Sequence, residues 1–303
     1  MTDYARTGSQ ADDLLSPGTH AIDLLGVRQA YIVAGQGPLC VVHSGGPGIG
    51  WSYLRMPALE RHFTMLYLEP IGTGDSGHLA SHPEGYSVAR YSAQLGALFD
   101  ALDLRDALLL GHSHGGFVAQ HYALRQPERL KGIIVYASAA VTGGAFIASA
   151  GQNVVAFAAR HAGDALAEDV LAAWQNLATM QSDADYLHVL QRLLPVYFAD
   201  FRRPDLHFEA IRNALTATLL IGDGAPFDVT PDLPGLGVPA LVLAGEQDFI
   251  CGPAHNEIIA SLVPDARLLR FQDAGHFIHL EQADAFNAAV LGFGLGIGAR
   301  RDA

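Results

Sequence analysis

Short apolar runs alternate with amphipathic segments along both ends of the chain. Continuous apolar runs bounded by Gly, Pro and Asp are typical of strands in a parallel sheet that is covered on both faces. Such runs occupy residues 39–42, 65–68, 107–110, 132–136, 240–244 and 268–271. They predict an α/β fold with a doubly wound, mostly parallel sheet, in which ligands bind outside the carboxyl ends of the strands.

Helical spacing fills the intervals between these runs. Ser87 is suited to cap a helix whose apolar side chains recur every three or four residues. Those side chains are Val88, Tyr91, Leu95, Leu98, Phe99 and Leu102. The glycine-rich stretch from Gly292 to Gly298 is predicted to be a loop after the last helix.

Strand patterns fade between residues 141 and 232, where the sequence is helical in pattern and rich in aromatic residues. A helical segment inserted between two halves of one sheet indicates a cap over the core. We therefore predict a core formed by residues 1–140 and 233–303 and a cap formed by residues 141–232. Most cap aromatics are expected to pack within the cap and against the core, and a minority to contact substrate.

The motif Gly-His-Ser-His-Gly at residues 111–115 carries the strongest chemical signal in the sequence. It lies between an apolar run and an amphipathic run, and a strand, a sharp turn and a helix in that order define a nucleophile elbow. The flanking glycines leave room for the turn, which places the Ser113 hydroxyl above the sheet at the N-terminus of a helix. Ser113 is the predicted nucleophile.

A serine nucleophile needs a base, and fourteen histidines compete for that role. His276 directly follows the last apolar run, and the glycine before it lets the imidazole lean over the sheet edge. His279 is expected to lie in the following helix. His112 and His114 flank the serine, but the elbow turns such neighbours away from it, so we predict that they line the pocket. The predicted base is His276.

The base in turn needs an orienting carboxylate. The run at 240–244 ends in a loop with two acids, Glu246 and Asp248. Asp248 lies further into the loop, where it can reach Nδ1 of His276, and Glu246 is the less favoured choice. Asp273 is predicted to be a surface residue. The resulting order along the chain is nucleophile, acid, base.

The oxyanion of an acyl-transfer reaction needs amide donors. The run at 39–42 is followed by His-Ser-Gly-Gly-Pro-Gly, in which the glycines let the backbone approach a substrate oxygen closely. We assign one oxyanion-hole donor to the amide of Gly46 and the second to the amide of His114, the residue after the nucleophile.

Composition and charge narrow the classes of function. The 303 residues carry a formal charge of −13, which argues against nucleic acid and anionic membranes as partners. The sequence contains no apolar run of about 18 residues, the length that a transmembrane helix requires. The polar residues 1–18 lack the pattern of a signal peptide. We predict a soluble, cytoplasmic protein with a small-molecule substrate, and the sequence leaves the oligomeric state open.

The sequence predicts no metal and no cofactor. His112 and His114 are spaced like paired ligands, but no nearby Asp, Glu or Cys completes a zinc motif. Neither a P-loop nor a dinucleotide-binding motif with its acidic partner is present. Cys40 and Cys251 do not form a disulfide framework, and both are predicted to be buried free thiols.

With these residues assembled, the chain resembles the α/β-hydrolases, and among them the proline iminopeptidases. The order nucleophile, acid, base is the order of the α/β-hydrolase triad. Residues 44–48, Ser-Gly-Gly-Pro-Gly, stand where the iminopeptidases have H-G-G-P-G. Residues 69–76, Glu-Pro-Ile-Gly-Thr-Gly-Asp-Ser, stand where they have D-Q-R-G-x-G-x-S. The resemblance covers most of residues 39–280 except the cap, and it implies an α/β-hydrolase fold with a Ser-His-Asp triad.

The departures from the iminopeptidase pattern concern substrate binding. The residue after the nucleophile is His114, where the family usually has tryptophan, and Glu-Pro-Ile replaces D-Q-R. The iminopeptidases are expected to hold a substrate α-amine with cap carboxylates, and residues 141–232 contain eleven acids against five arginines. No individual acid of residues 141–232 can be matched to an amine-binding residue of the iminopeptidases. The candidate substrate-binding residues are Gly45, Glu69 and Trp174.

These observations predict a cofactor-free serine hydrolase that cleaves a small-molecule ester, lactone or amide through an acyl-enzyme on Ser113. Three alternatives stay open. They are an aminopeptidase of the proline iminopeptidase type, a hydrolase that acts on C–C bonds, and a ligand receptor that kept the hydrolase fold and lost fast turnover.

Overall fold

An eight-stranded sheet forms the centre of the structure, a computed structural model that describes residues 14–301. The strands are β1 Gly18–Leu24, β2 Val27–Gly35, β3 Leu39–His43, β4 Thr64–Leu68, β5 Ala107–His112, β6 Leu130–Tyr136, β7 Ala240–Gly245 and β8 Ala266–Phe271. Their spatial order is β1-β2-β4-β3-β5-β6-β7-β8. β2 pairs antiparallel with β1 and β4, and all other neighbours are parallel.

Helices cover both faces of this sheet, as expected for a doubly wound fold. The α-helices of residues 14–301 are α1 Pro57–Glu60, α2 Val88–Ala101, α3 His114–Ala123, α4 Gly144–Arg160, α5 Ala165–Asn176, α6 Asp183–Leu193, α7 Phe208–Ala214, α8 Pro253–Leu262, α9 Ile278–Glu281 and α10 Ala283–Arg301. None of them combines the length and the hydropathy that crossing a bilayer requires.

All six apolar runs form strands, which confirms the predicted parallel part of the sheet. The two N-terminal strands were not predicted, because they are antiparallel strands at one edge and carry polar residues such as Asp23 and Arg28. Ser87 caps α2 as predicted, since its Oγ accepts a hydrogen bond from the amide of Arg90 at 3.3 Å.

The predicted C-terminal loop at Gly292 to Gly298 is wrong, because this stretch lies inside α10. Its helical conformation is held by packing against the sheet through Phe286, Val290 and Ile297, which are buried. Gly294 faces the same way, and its missing side chain lets the helix approach the sheet closely. Burial therefore outweighs the low helix propensity of glycine here.

Successive residues of the central strands point to opposite faces and build two separate apolar clusters. In β3, Val41 belongs to the cluster under α2, α3 and α8, whereas Cys40 and Val42 belong to the cluster under α1, α9 and α10. Cys40 and Cys251 are both buried and unbonded, as predicted. The central sheet is thus a rigid platform for the loops at its edge.

Helices α4 to α7 lie in sequence between β6 and β7, within the segment predicted to form the cap. Their apolar side chains form a third cluster, which extends to Phe249 in the loop after β7 and to Phe277 in the loop after β8. These helices therefore pack against loops at the carboxyl edge of the sheet, and we use the word cap for the segment 141–232 that contains them. The predicted absence of a signal peptide concerns residues 1–18, of which 1–13 lie outside the described residues.

Candidate active site

Ser113 occupies a sharp turn between the end of β5 and the start of α3. Its backbone has φ 52° and ψ −119°, a strained conformation for a residue other than glycine. A side chain on Gly111 would lie 2.3 Å from the carbonyl oxygen of Gly115, and one on Gly115 would lie 2.2 Å from that of His43. The two glycines are therefore required by close backbone packing around the elbow.

His276 and Asp248 come together in the loops after β8 and β7. Nδ1 of His276 lies 2.8 Å from Oδ2 of Asp248, and both side chains are buried. The other carboxylate oxygen, Oδ1, accepts hydrogen bonds from the amides of Ile250 and Cys251, each at 3.0 Å. Asp248 is thus held in one orientation by its own loop.

This contact fixes the tautomer of His276. An ionised carboxylate only accepts hydrogen bonds, so the proton of the neutral imidazole resides on Nδ1 and the lone pair on Nε2. The imidazole and Ser113 line the same cavity. The cap also holds the histidine, because the amide of His276 donates to the carbonyl of Tyr197 at 2.7 Å.

The amides assigned to the oxyanion differ in their availability. The amide of Gly45 donates to the hydroxyl of Tyr53 at 2.7 Å and is therefore engaged. The amides of Gly46 and His114 have no hydrogen-bond partner within residues 14–301. Gly46 borders the cavity that contains Ser113, and the His114 amide belongs to the first turn of α3.

We call the space at Ser113 the Ser113 cavity; its volume is about 120 Å³. Core loops supply Ile49, Tyr53, Ile250 and Phe277. The cap closes it with the side chains of Tyr186, Leu190, Leu194, Tyr197, Ile211 and Leu215. Within the described part of the chain, no Asp, Glu, Lys or Arg side chain lines this cavity.

A chain of hydrogen bonds behind Ser113 joins the two loops of the site. Nε2 of His112 lies 3.1 Å from the carbonyl oxygen of His276 and must donate to it, so Nδ1 accepts from the hydroxyl of Tyr53 at 2.6 Å. That hydroxyl in turn accepts from Gly45. Burial, with smaller effects of His276 and His279, lowers the pKa of His112 well below its ordinary value, so the ring is neutral.

The predicted site residues divide into two groups. Ser113, His276 and Gly46 border the Ser113 cavity, and so does Gly45. His112 lines it too, whereas His114 turns away and packs its ring edge-on against Tyr91 at 5.2 Å. Burial and the neighbouring His43 lower the pKa of His114 to about 3.

The other two candidate substrate-binding residues lie outside this cavity. The carboxylate of Glu69 is buried and accepts from the hydroxyl of Thr73 at 3.0 Å, and burial raises its pKa. Trp174 packs edge-on against Phe249, with ring centroids 6.0 Å apart. Both side chains support the architecture around the site instead of bordering it.

The less favoured acids and histidines lie elsewhere. Glu246 forms an ion pair with Arg270 at the surface. Asp273 is exposed, and His279 lies in α9, both as predicted. No group of three or more His, Cys, Asp or Glu side chains in residues 14–301 is arranged to hold a metal ion.

One buried carboxylate next to the site was missed by the sequence analysis. Oε2 of Glu281 accepts from the amide of Gly275, beside His276, and Oε1 accepts from the amide of Ala199 in the cap, both at 2.7 Å. Burial raises its pKa to about 7. Glu281 belongs to no motif, and only the folded chain brings the cap amide to it, so no local pattern indicates its role.

Comparisons with known proteins agree with this architecture. The chain is 32% identical over 297 residues to the polyketide synthase ThaQ of Burkholderia thailandensis. The aligned region covers 92% of this chain but only 13% of the synthase. It is 24% identical to the proline iminopeptidase PfmaB of Pestalotiopsis fici, over 87% of this chain and 94% of that protein. A crystal structure of a hydrolase from Pseudomonas aeruginosa superposes with a TM-score of 0.70 at 26% identity, over 92% of this chain and 98% of that chain.

A family profile described as alpha/beta hydrolase fold matches residues 38–283, which is most of the chain. The matched region runs from the loop before β3 into the start of α10 and includes the elbow, the Asp248 loop and His276. The chain belongs to the α/β-hydrolase fold family.

Proposed function

We propose that the protein is a serine hydrolase that cleaves a small-molecule ester, lactone or amide through an acyl-enzyme. Ser113 Oγ attacks the acyl carbon while Nε2 of His276 takes its proton, and Asp248 keeps the imidazole in the required tautomer. The amides of Gly46 and His114 hold the oxyanion. The leaving group departs with the proton from His276, and a water activated by the same imidazole releases the acid.

The observation that carries this proposal is the buried pair of His276 and Asp248 at a cavity that also contains Ser113. A structural histidine needs no carboxylate whose second oxygen is held by two amides. A general base needs this arrangement, since the fixed tautomer leaves Nε2 free to accept a proton. No cofactor is required for these steps.

The lining of the Ser113 cavity favours an uncharged substrate over the α-ammonium group of an aminopeptidase substrate. A buried ammonium needs a paired carboxylate, and within residues 14–301 no acidic side chain borders the cavity. The acids of the cap, such as Asp169, pair with arginines or lie at the surface. We therefore place esters and lactones with apolar acyl groups ahead of N-terminal amino-acid amides.

Replacing the nucleophile tests the mechanism. We expect Ser113→Ala to lower kcat by about 10⁶-fold, as for other triad nucleophiles. A fluorophosphonate probe should label the wild-type protein at Ser113 and should not label the variant. Ser261→Ala, at an exposed serine of α8, serves as the control and should keep both properties. Wild-type turnover by Ser113→Ala would overturn the proposal.

A substrate panel separates the ester hydrolase from the aminopeptidase. We expect hydrolysis of p-nitrophenyl esters with apolar acyl groups and little hydrolysis of proline or alanine arylamides. The reverse preference, lost when the α-amine is acetylated, would show an iminopeptidase-type activity instead. Comparing O-, N- and S-linked leaving groups on one acyl group then identifies the preferred bond.

A further inference from the structure

A second apolar space adjoins the Ser113 cavity. This space, which we call the outer groove, has a volume of about 360 Å³. Its outer side is formed by Ala210, Ala214 and Thr216 from α7 and the segment that follows it. Among the described residues, every one that lines the groove is uncharged.

The outer groove and the Ser113 cavity share one wall. The five side chains that border both spaces are Ile49, Tyr53, Ile211, Leu215 and Leu280. Four of these side chains are aliphatic, and all five are only partly buried. Aliphatic side chains make no hydrogen bonds, so a change of rotamer in these four breaks none.

The size of the Ser113 cavity makes this neighbour important. An apolar cavity of about 150 Å³ holds a molecule as small as benzene, and the Ser113 cavity measures about 120 Å³. Sites for small organic ligands occupy about 300–1,000 Å³. The space at Ser113 reaches that range when the outer groove is added.

We propose that the outer groove binds the distal part of a linear, uncharged acyl chain whose carbonyl carbon lies at Ser113. This inference rests on the proposed function and specifies its substrate class as esters or lactones of medium-chain and long-chain fatty acids. The Ser113 cavity is smaller than a cavity that holds benzene, so it has room for a chain of fewer than about six carbons. Longer chains cross the wall at Leu215 and Leu280 and displace water from apolar surface in the groove.

A chain-length series of p-nitrophenyl esters, from acetate to dodecanoate, tests this assignment. Each methylene buried in the groove should raise kcat/KM by about fourfold, until the groove is filled. The increase should continue beyond hexanoate. A maximum at acetate or butanoate followed by a steady decline would overturn the inference.

Blocking the groove gives a second measurement. In Ala214→Trp the indole should occupy the groove, and the ratio of kcat/KM for decanoate to that for butanoate should fall at least tenfold below the wild-type ratio. Ala156→Trp, at an exposed position of α4 on another face of the cap, is the matched control and should keep the wild-type ratio. An unchanged ratio in Ala214→Trp would overturn the inference.

Ligand binding separates a failure of the groove from a failure of the proposed function. Calorimetry on Ser113→Ala protein should show that the uncharged ester methyl dodecanoate binds at least tenfold more tightly than methyl hexanoate. Adding Ala214→Trp should abolish that difference. If methyl dodecanoate binds in this way but the wild-type protein hydrolyses no ester of any length, the groove assignment stands and the hydrolase proposal fails. Equal affinities would reject the groove even if esters are hydrolysed.

Discussion

At the scale of single residues, two acids of the loop after β7 have different partners. Oδ2 of Asp248 accepts from His276, while Glu246 forms an ion pair with Arg270 at the surface. In Asp248→Asn, Oδ1 can keep its two backbone donors, and the amide nitrogen then faces Nδ1 of His276. The imidazole must carry its proton on Nε2 and can no longer act as a base.

We therefore expect Asp248→Asn to lower kcat by about 10⁴-fold. Glu246→Gln, the matched control in the same loop, should keep wild-type kcat, because Glu246 pairs with Arg270 and not with His276. Steady-state kinetics with a p-nitrophenyl ester measure both variants. Equal losses in the two variants would contradict the assignment of Asp248.

Tyr53 is a second residue for which the hydrogen bonds of one atom, the hydroxyl oxygen, predict the effect of a substitution. Its hydroxyl accepts from the amide of Gly45 and donates to His112, so Tyr53→Phe leaves one buried donor and one buried acceptor unpaired. We expect the free energy of unfolding to fall by about 1–3 kcal/mol. In Tyr91→Phe the lost hydrogen bond is long, at 3.5 Å, and the loss should be smaller.

Urea unfolding measures both tyrosine variants. Loss of the Tyr53 hydroxyl frees the Gly45 amide and so loosens the neighbouring Gly46 amide, the proposed donor to the oxyanion. The Tyr53 variant should therefore also lower kcat more than it raises KM. A Tyr53→Phe protein as stable as Tyr91→Phe would contradict the tautomer of His112 on which this prediction depends.

At the scale of elements, α10 shows where sequence patterns mislead. Its glycines predicted a loop, yet the helix runs through them to Arg301. A side chain on Gly294 would lie 2.6 Å from Leu108 and 2.8 Å from Phe63, whereas one on Gly292 would meet no atom within 4 Å. The two glycines therefore differ in function: one permits close packing and the other only weakens the helix.

Alanine substitutions distinguish these roles. Gly294→Ala should lower the free energy of unfolding by about 1–3 kcal/mol through overpacking. Gly292→Ala should raise it by about 0.5–1 kcal/mol, because alanine restricts the unfolded chain and favours the helix. Chemical denaturation of both variants checks the pair, and the same sign for both changes would contradict the packing of α10.

The strands also differ in whether an apolar run in the sequence reveals them. Central parallel strands such as β5 are buried on both faces and are visible as apolar runs. β1 is exposed along much of its length and has no such run. Its place is set by a hairpin with β2 across the turn at residues 25–26, and this backbone pairing leaves no apolar run in the sequence.

At the scale of the whole molecule, core and cap were predictable to different degrees. Positions of Ser113, Asp248 and His276 follow from where strands end, since parallel strands bring their carboxyl ends to one edge. The cap side chains that line the Ser113 cavity, such as Leu190 and Ile211, follow from no motif. A helical pattern shows that one face is apolar, but not whether that face meets the core or a cavity.

Glu281 links these two parts and predicts a dependence of stability on pH. Its carboxylate accepts amides from the cap, at Ala199, and from the loop of His276, at Gly275. The guanidinium of Arg203, which faces it from the cap, donates to the Glu281 backbone carbonyl. Burial is the largest influence on the carboxyl and raises its pKa from the ordinary 4.5 to about 7.

The sign of the effect follows from proton uptake. Between about pH 4.5 and 7 the folded protein holds a proton on Glu281 that the unfolded chain has lost, so this contribution to stability falls as the pH rises and is absent above pH 7. The free energy of unfolding of the wild type, minus that of Glu281→Gln, should decrease by up to about 3 kcal/mol over this interval and level off above it.

Glu257→Gln, at an exposed glutamate paired with Arg270, is the control and should show no such slope. Urea unfolding at successive pH values measures all three proteins, and a difference that grows as the pH rises would mean that the amides of Ala199 and Gly275 outweigh burial in setting the charge of Glu281.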